Sequence, residues 1–580
     1  MKLLQVGFLS VFIIFFLASS FINSSSILNG SNYIKQFWIE FIIIAYTCMG
    51  IFLVWFRKNF IEVHFAFADA IVALLLIIYL VFVIFKESSP LVRHLPLYYA
   101  LFFFISKLIL RNLEERNVEV SIRFFLNIIP FVIIGHLAMF VLQQMQISSI
   151  LNKNSNVGSA FGNPDMLGSY LAVLMPFCFM QVRYWKIIGY IAFVLSLIAL
   201  FSLQARTSIV AVIICGFFWV ILNKQLKLKS ILLLFAVPLL LGFILIYWHP
   251  ESVFGRIFLW LVSIRMISVK PFGWGLLAFD KHFPQFQSSF LSDERIITKL
   301  FTPEVVHSPF NEYLNVGVTI GILALILVIT FIFIIFNKLL KWKHRLLYPL
   351  LSFFIISLFY FPFKIAPLVV LIIPLVAWVS NKDQHLVYIQ TSKCFAFVIL
   401  LFVLISAIVL ASKSFRIYNT YKEWQYSYSL SLENDSIIKA EQLYAKLYPS
   451  LKTDGRFLIT YSNLLSERGK YSDALRLLEE AENYFCDITM SLNLAELYEW
   501  QGFYSRAEEK YNFAISLSPS KMIPAYEKIL FLQRTGRIEE AYLASLELLN
   551  RPVEDSKYAD TYIIRSRLAR IIRDYETSIQ

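Results

Sequence analysis

The sequence has little charge and little cysteine. Only 16% of its 580 residues are charged, whereas 58% are hydrophobic and the mean hydropathy is +0.67. A water-soluble domain does not need this much apolar surface, so the composition excludes a soluble globular protein. The five cysteines form no CxxC motif and four of them lie inside apolar runs, so neither a disulfide framework nor a zinc site is indicated.

Apolar runs of about 20 residues, the length that crosses a bilayer, recur along the first 411 residues. They predict an all-α fold whose first part is a polytopic membrane helix bundle with about thirteen spans. The predicted spans are 3–22, 37–56, 61–85, 95–110, 124–142, 166–182, 187–203, 207–222, 230–248, 313–336, 346–361, 365–379 and 394–411.

The positive charge is unevenly distributed. Residues 1–411 carry 30 basic and 15 acidic side chains, whereas residues 412–580 carry 22 and 24. A basic excess in short loops sets membrane orientation, so it gives no reason to expect a nucleic-acid partner. With the N-terminus in the cytoplasm, seventeen Lys and Arg residues fall in inside segments and six in short outside loops. This distribution predicts that the polar segment 249–312 and everything after Ala411 lie outside, in the periplasm.

The C-terminal part repeats a glycine-containing pattern. Gly469, Gly502 and Gly536 are 33 and 34 residues apart, and an alanine follows each of them at the same distance. This is the period of tetratricopeptide repeats, in which glycine lies at the turn between helices and alanine where the helices touch. We therefore expect a membrane domain at 1–411 and a periplasmic α-solenoid at 412–580, which binds a protein partner or the acceptor.

Four groups of residues on the predicted outside face are candidates for chemistry. Three of them also have a plain structural explanation: a re-entry loop for the first group, an interfacial anchor for Arg206, and a helix cap for His307. The groups are Phe161-Gly162-Asn163-Pro164-Asp165; Gln204-Ala205-Arg206; Gly255-Arg256 with Trp260 and Pro271-Phe272-Gly273-Trp274-Gly275; and His307-Ser308-Pro309-Phe310-Asn311-Glu312-Tyr313-Leu314.

Taken in this order, the four groups resemble the O-antigen ligase superfamily of bacterial membrane glycosyltransferases. The superfamily includes O-antigen ligases, some O-antigen polymerases and protein O-oligosaccharyltransferases, and the resemblance implies a GT-C-like helix bundle. It covers roughly residues 158–321. Ser308 follows His307 where the family usually has asparagine, and Ala205 precedes Arg206 where the family has serine.

The resemblance implies that a glycan moves from a polyprenyl diphosphate donor to a hydroxyl group of a lipid or protein acceptor, at the periplasmic face of the inner membrane. His307 is then the general base. Arg206 and Arg256 bind the diphosphate, because guanidinium groups bind phosphate bidentately. The outside loops contain no acidic cluster with metal-ligand spacing, so we expect neither a metal nor a cofactor. The further candidate substrate-binding residues are Asn163, Asn311 and Glu312.

Other functions stay open from the sequence. An O-antigen polymerase or a protein O-oligosaccharyltransferase uses the same donor chemistry, and the motifs favour a ligase over both. A transporter of a lipid-linked glycan usually has internal repeats and broken helices inside the membrane, and the sequence shows neither convincingly. A membrane anchor for the repeat domain needs a single span rather than about thirteen.

Overall fold

The computed structural model describes residues 33–56, 60–85, 95–112, 115–145, 158–180, 185–223, 250–293, 308–382, 385–551 and 559–579. The chain divides into two compact units. The membrane unit contains the described residues up to 223 together with 310–421. The repeat unit contains 250–293 and the described residues after 421.

The elements follow one another along the chain as helices, with two strands. In the first part they are α1 (Tyr33–Phe56), β1 (Phe60–Ala66), α2 (Phe67–Phe85), α3 (Leu95–Asn112), α4 (Glu115–Gln144), α5 (Pro164–Leu174), α6 (Lys186–Ser202) and α7 (Arg206–Asn223). Then come α8 (Pro250–Val269), α9 (Phe283–Asp293), α10 (Glu312–Thr319), α11 (Ile322–Lys341), α12 (Leu347–Ile356), α13 (Ala366–Asn381), β2 (His385–Ser392) and α14 (Lys393–Ser431). The last are α15 (Ile437–Leu451), α16 (Gly455–Glu467), α17 (Tyr471–Ala481), α18 (Ile488–Trp500), α19 (Tyr504–Leu517), α20 (Met522–Arg534), α21 (Ile538–Leu549) and α22 (Ala559–Ile579).

Helices occupy most of each predicted span that the structure describes. The predicted spans 3–22 and 230–248 lie outside the described residues. Within the described part, three helices are long and apolar enough to cross a membrane, and further apolar helices are shorter. The all-α class with a membrane part and a solenoid is confirmed, whereas the number of spans stays a prediction.

A two-stranded antiparallel sheet was not predicted. β1 pairs with β2 in a register that places Val63 opposite Ile389 and Phe60 opposite Ser392. β1 therefore takes the first residues of the predicted span 61–85, and the helix begins only at Phe67. Because the two partners are more than 300 residues apart in sequence, hydropathy alone could not reveal the pairing.

A buried ion pair lies inside the membrane unit. The ammonium group of Lys107, on α3, contacts the carboxylate of Asp69, on α2, and both side chains are almost fully buried. The same carboxylate accepts hydrogen bonds from Ser380 Oγ (2.9 Å) and from the backbone N–H of Ala66 (2.6 Å). Pairing and hydrogen bonding offset the desolvation of two charges, which explains how the apolar run 95–110 accommodates a lysine.

The predicted span 313–336 is interrupted. α10 ends at Thr319 and α11 begins at Ile322, with Gly321 between them at a φ of 112°. Residues other than glycine rarely adopt this backbone conformation. The last predicted span, 394–411, instead continues without a break to Ser431, so the predicted domain boundary at 411/412 falls inside a helix.

The repeat unit contains three helix pairs, α16–α17, α18–α19 and α20–α21, followed by α22. Gly469, Gly502 and Gly536 lie at the turns with φ of 72°, 80° and 79°. The alanines that follow them are fully buried where the helices pack; they are Ala474, Ala507 and Ala541. This confirms the predicted repeats, with α15 before them and α22 as the capping helix.

Candidate functional site

Asn163 begins α5. Its side-chain oxygen accepts hydrogen bonds from the backbone N–H groups of Asp165 (2.8 Å) and Met166 (3.3 Å), and Pro164 is the first helical residue. Asparagine at the N-cap and proline after it both favour a helix start. Asn163 therefore has a structural role on the predicted outside face, and its contact with substrate stays a prediction.

Gln143, near the end of α4, holds the turn that precedes Asn163. Its amide oxygen accepts hydrogen bonds from the backbone N–H groups of Gly158 (3.1 Å) and Ser159 (2.7 Å), and its amino group donates to the Ser159 carbonyl oxygen (3.0 Å). Ser159 has a φ of 54°, which is uncommon outside glycine. A Cβ at Gly158 would lie 2.4 Å from the backbone nitrogen of Asn163, so this position needs glycine.

His136, also on α4, supports the same turn. It is fully buried, its Nδ1 lies 3.0 Å from Ser159 Oγ, and its ring stacks on Phe161 and meets the edge of Tyr170, both at 5.2 Å between centroids. The sequence alone does not connect His136 to this loop. Its position inside an apolar span was the signal, because titratable residues within spans are rare and often functional.

Arg206 is the first residue of α7. Gln204 before it has a φ of 51°, and the buried Ala205 contacts α5 so closely that a Cβ at Gly168 would lie 2.4 Å from that of Ala205. The start of α7 therefore packs against the middle of α5. Arg206 is half-buried, and its guanidinium has no hydrogen bond or ion pair with any described residue. A free cation at a positively polarised helix end is suited to an anion.

Asn311 begins α10 in the same way that Asn163 begins α5. Its side-chain oxygen accepts hydrogen bonds from the backbone N–H groups of Tyr313 and Leu314, both at 3.0 Å, and it is buried. The N–H of Glu312 donates to the Ser357 carbonyl oxygen (2.8 Å), which fixes this helix start against the end of α12.

Glu312 is the last residue of the predicted outside segment. Burial raises the pKa of its carboxyl group to about 7, although Lys364, the Asn315 side chain and the Phe363 backbone lower it in part. The Lys364 ammonium lies 4.4 Å from the centre of the Phe361 ring. The structure thus brings Lys364, which was not predicted as a site residue, beside Glu312 at one turn.

Arg256 lies in the repeat unit, on α8, where it is half-buried. The Pro-Phe-Gly-Trp-Gly turn after α8 contains Gly273 and Gly275 with φ of 83° and 99°. These angles fold Trp274 back onto α8, where its Nε1 donates a hydrogen bond to the Met266 carbonyl oxygen (2.8 Å). The predicted family turn is therefore a compact structure that closes the end of the helix that carries Arg256.

The segment 250–293 packs against the repeats, which the sequence did not predict. Gln287 Nε2 donates to the Leu517 carbonyl oxygen (2.7 Å), and Ser288 Oγ donates to Ser516 Oγ (2.7 Å). The N–H of Cys486 donates to the Asp280 carbonyl oxygen (2.8 Å). Because Gln287 is fully buried, α9 and α19 form a closed interface within the repeat unit.

The predicted site residues are thus distributed over the two units. Asn163, Arg206, Asn311 and Glu312 belong to the membrane unit, Arg256 belongs to the repeat unit, and His307 lies outside the described residues. Among the described residues, no group of three or more His, Cys, Asp or Glu side chains could hold a metal ion.

In comparisons with known proteins, one family model matches part of the chain. The family model described as "O-Antigen ligase" matches residues 191–329, a range that includes Arg206, Arg256, His307, Asn311 and Glu312 but not Asn163. No curated protein matches the chain. The chain is similar to a solved structure titled "Crystal structure of APC/C hetero-tetramer Cut9-Hcn1", at 13% sequence identity over 93% of this chain and 90% of that chain. The TM-score of 0.22 is too low to support a conclusion about the fold or the function. The match over residues 191–329 supports an O-antigen ligase-like membrane glycosyltransferase.

Proposed function

We propose that the protein transfers a glycan from a polyprenyl diphosphate carrier to a hydroxyl acceptor at the periplasmic face of the inner membrane. The observation that carries this proposal is Arg206: a half-buried guanidinium at the start of α7, inside the family-matched range and without a partner among the described residues. A half-buried cation that has no partner among the described residues is suited to an anionic ligand.

The diphosphate is the anion that the reaction supplies. In the transfer, the bond between the anomeric carbon of the glycan and the diphosphate oxygen breaks, and the leaving oxygen gains negative charge. Arg206 and Arg256 stabilise this charge, and a preorganised cation in a site of low dielectric lowers the barrier by about 3 kcal/mol. The acceptor oxygen forms the new bond to the anomeric carbon, and His307 takes its proton.

The remaining candidates have supporting roles in this proposal. Asn163 and Asn311 fix two helix starts on the predicted outside face through their side-chain oxygens. Glu312 and Lys364 provide a carboxyl group and a cation beside Asn311, at the start of α10, where sugar hydroxyl groups can bind. We propose a metal-independent transfer in which the arginines supply the positive charge that the leaving group needs.

Orientation is tested by labelling. Single cysteines at Ser289 and Gln580 should react with a membrane-impermeant reagent in cells with a permeabilised outer membrane, whereas cysteines at Lys227 and Lys343 should react only after lysis. Labelling at 227 but not at 289 would invert the topology and remove the proposed site from the periplasm.

Function is tested by complementing a deletion strain. For a ligase, deletion leaves full-length glycan on the lipid carrier and the acceptor without glycan. If the acceptor carries one repeat unit, the protein is instead a polymerase. If proteins lack glycan while lipopolysaccharide is normal, it is a protein oligosaccharyltransferase. If carrier-bound glycan stays on the cytoplasmic side, it is a transporter.

The variants identify the residues that act. His307→Ala and Arg256→Ala should reproduce the deletion phenotype at normal protein levels, and Arg256→Lys should restore transfer only partly because lysine cannot form the bidentate contact. Arg570→Ala is a matched control, since this arginine is highly exposed on the last helix, and it should complement fully. Full complementation by His307→Ala would exclude its role as general base.

A further inference from the structure

The second repeat differs from its neighbours at the turn between its helices. Two residues before the turn glycine, the first and third repeats have Glu467 and Arg534, whereas the second has Trp500. One residue after the glycine, the first and third have Lys470 and Arg537, whereas the second has Phe503. Aromatic residues thus replace charged residues at two equivalent positions of a single repeat.

Three of these four charged residues, Lys470, Arg534 and Arg537, pair with a glutamate of a preceding helix pair or helix. Lys470 Nζ pairs with Glu441 (2.6 Å), and Arg537 pairs with Glu508 (2.6 Å). Arg534 forms two hydrogen bonds to Glu499, at 2.5 Å and 2.9 Å. Trp500 and Phe503 cannot form such ion pairs, and more than half of each side chain is exposed, so packing within the solenoid uses only part of each ring.

Three aromatic side chains within five residues of this turn are exposed. Trp500 is 63%, Tyr504 55% and Phe503 51% exposed. The Trp500 ring stacks on Tyr471 with 5.2 Å between centroids and 6° between planes. We call Tyr471, Trp500, Phe503 and Tyr504 the aromatic platform. Large apolar side chains grouped on a surface indicate a binding site rather than an ordinary surface.

Polar groups extend the platform along α18. Asn493 precedes Trp500 by seven residues, which is two helical turns, so both lie on one face about 10 Å apart. The Asn493 amino group donates a hydrogen bond to the Asn463 side-chain oxygen (3.0 Å), and this pair is exposed. Each amide retains further donor or acceptor capacity for a ligand.

The surrounding charges are mixed. Glu499 and Glu508 are paired with Arg534 and Arg537, and Arg506 lies over the Phe503 ring at 5.8 Å. An anionic membrane surface attracts clusters of basic residues, and the platform has no such excess. A flat aromatic face beside planar amides suits a neutral ring that has an apolar C–H face and hydroxyl groups at its edge.

We propose that the aromatic platform binds the pyranose rings of the donor's glycan chain, with a ring stacked on Trp500 and hydroxyl groups bonded to Asn493. This inference rests on the proposed function, which supplies the glycan. It assigns the repeats a role in holding sugar, separate from the transfer chemistry of Arg206.

The test measures binding of lipid-free glycan to the full-length protein in detergent. The probe is the surface polysaccharide of the host cell, released by mild acid so that it carries neither lipid nor diphosphate, and calorimetry gives the Kd. Trp500→Ala and Phe503→Ala should each weaken binding at least tenfold, while Trp500→Phe should retain part of the affinity because it keeps a ring. Tyr562→Ala is the control, since this tyrosine is 65% exposed on α22 outside the platform.

Several results would overturn the inference. The first is that the unchanged protein does not bind the polysaccharide. The second is that Trp500→Ala binds it with the same affinity as the unchanged protein. If Trp500→Ala keeps this affinity but loses a co-purifying protein, the platform binds a protein partner instead. Arg206→Ala should bind the lipid-free polysaccharide normally. Absent binding with intact transfer would refute only the platform, whereas intact binding without transfer in the unchanged protein would refute the proposed function.

Discussion

His136 and Ser159 share a hydrogen bond of 3.0 Å that joins α4 to the turn before Asn163. Both residues are buried, and Gln143 holds the same turn through three further hydrogen bonds. The start of α5 is therefore positioned from a neighbouring helix and not by its own loop alone. This arrangement suggests that the turn is a fixed part of the candidate site.

The first prediction concerns this pair. Ser159→Ala and His136→Ala should each lower the stability by about 1–3 kcal/mol, because a buried polar group loses its partner. The double variant should be less destabilised than the sum of the two. Thermal unfolding in detergent measures the stability of the single variants and of the double variant. Ser196→Ala is the control, because that buried serine bonds only to its own helix, at Ala192. Additive losses would show that the two side chains do not interact.

The second prediction concerns Asp69 and Lys107. Lys107→Met leaves a buried carboxylate without its cation and should destabilise the protein by about 3–5 kcal/mol, seen as loss of protein from the membrane. Asp69→Asn combined with Lys107→Met should restore most of the lost stability, because neither buried position then carries a charge. Lys446→Met removes an exposed ion pair with Glu423 and should have almost no effect. Equal losses in the single and double variants would contradict the pairing.

The third prediction concerns Glu312 and pH. Its pKa of about 7 lies above that of an unfolded glutamate, so the folded protein binds the proton more tightly and its stability falls as pH rises from about 4.5 to 7. Glu312→Gln has no charge to bury. It should raise the melting temperature at pH 8, and the gain should shrink towards pH 5. Glu423→Gln, at a largely exposed site, is the control. A gain that does not change with pH would exclude the titration of Glu312.

Structural features that depend on residues close together in sequence could be predicted from the sequence alone. The repeats followed from glycines that need a left-handed φ at each turn, such as Gly502, and from alanines where the helices touch. The membrane helices followed from apolar length. The position of Arg206 at a helix start followed from the end of one apolar run and the beginning of the next.

Long-range contacts could not be predicted in the same way. The pairing of β1 with β2, the ion pair of Asp69 with Lys107 and the packing of α9 on α19 each join segments far apart in sequence. The roles of Asn163 and Asn311 as helix caps were also missed, although asparagine before a helix start is a known capping signal.

The most direct test of the account is glycan transfer by purified protein in proteoliposomes, with a polyprenyl diphosphate-linked glycan as donor and the host's isolated acceptor. Arg206→Ala should reduce the transfer rate by about 10²–10³-fold, as for loss of a group that stabilises the transition-state charge, and Arg206→Lys should retain part of it. Transfer by Arg206→Ala at the rate of the unchanged protein would contradict the central claim that the Arg206 guanidinium binds the diphosphate.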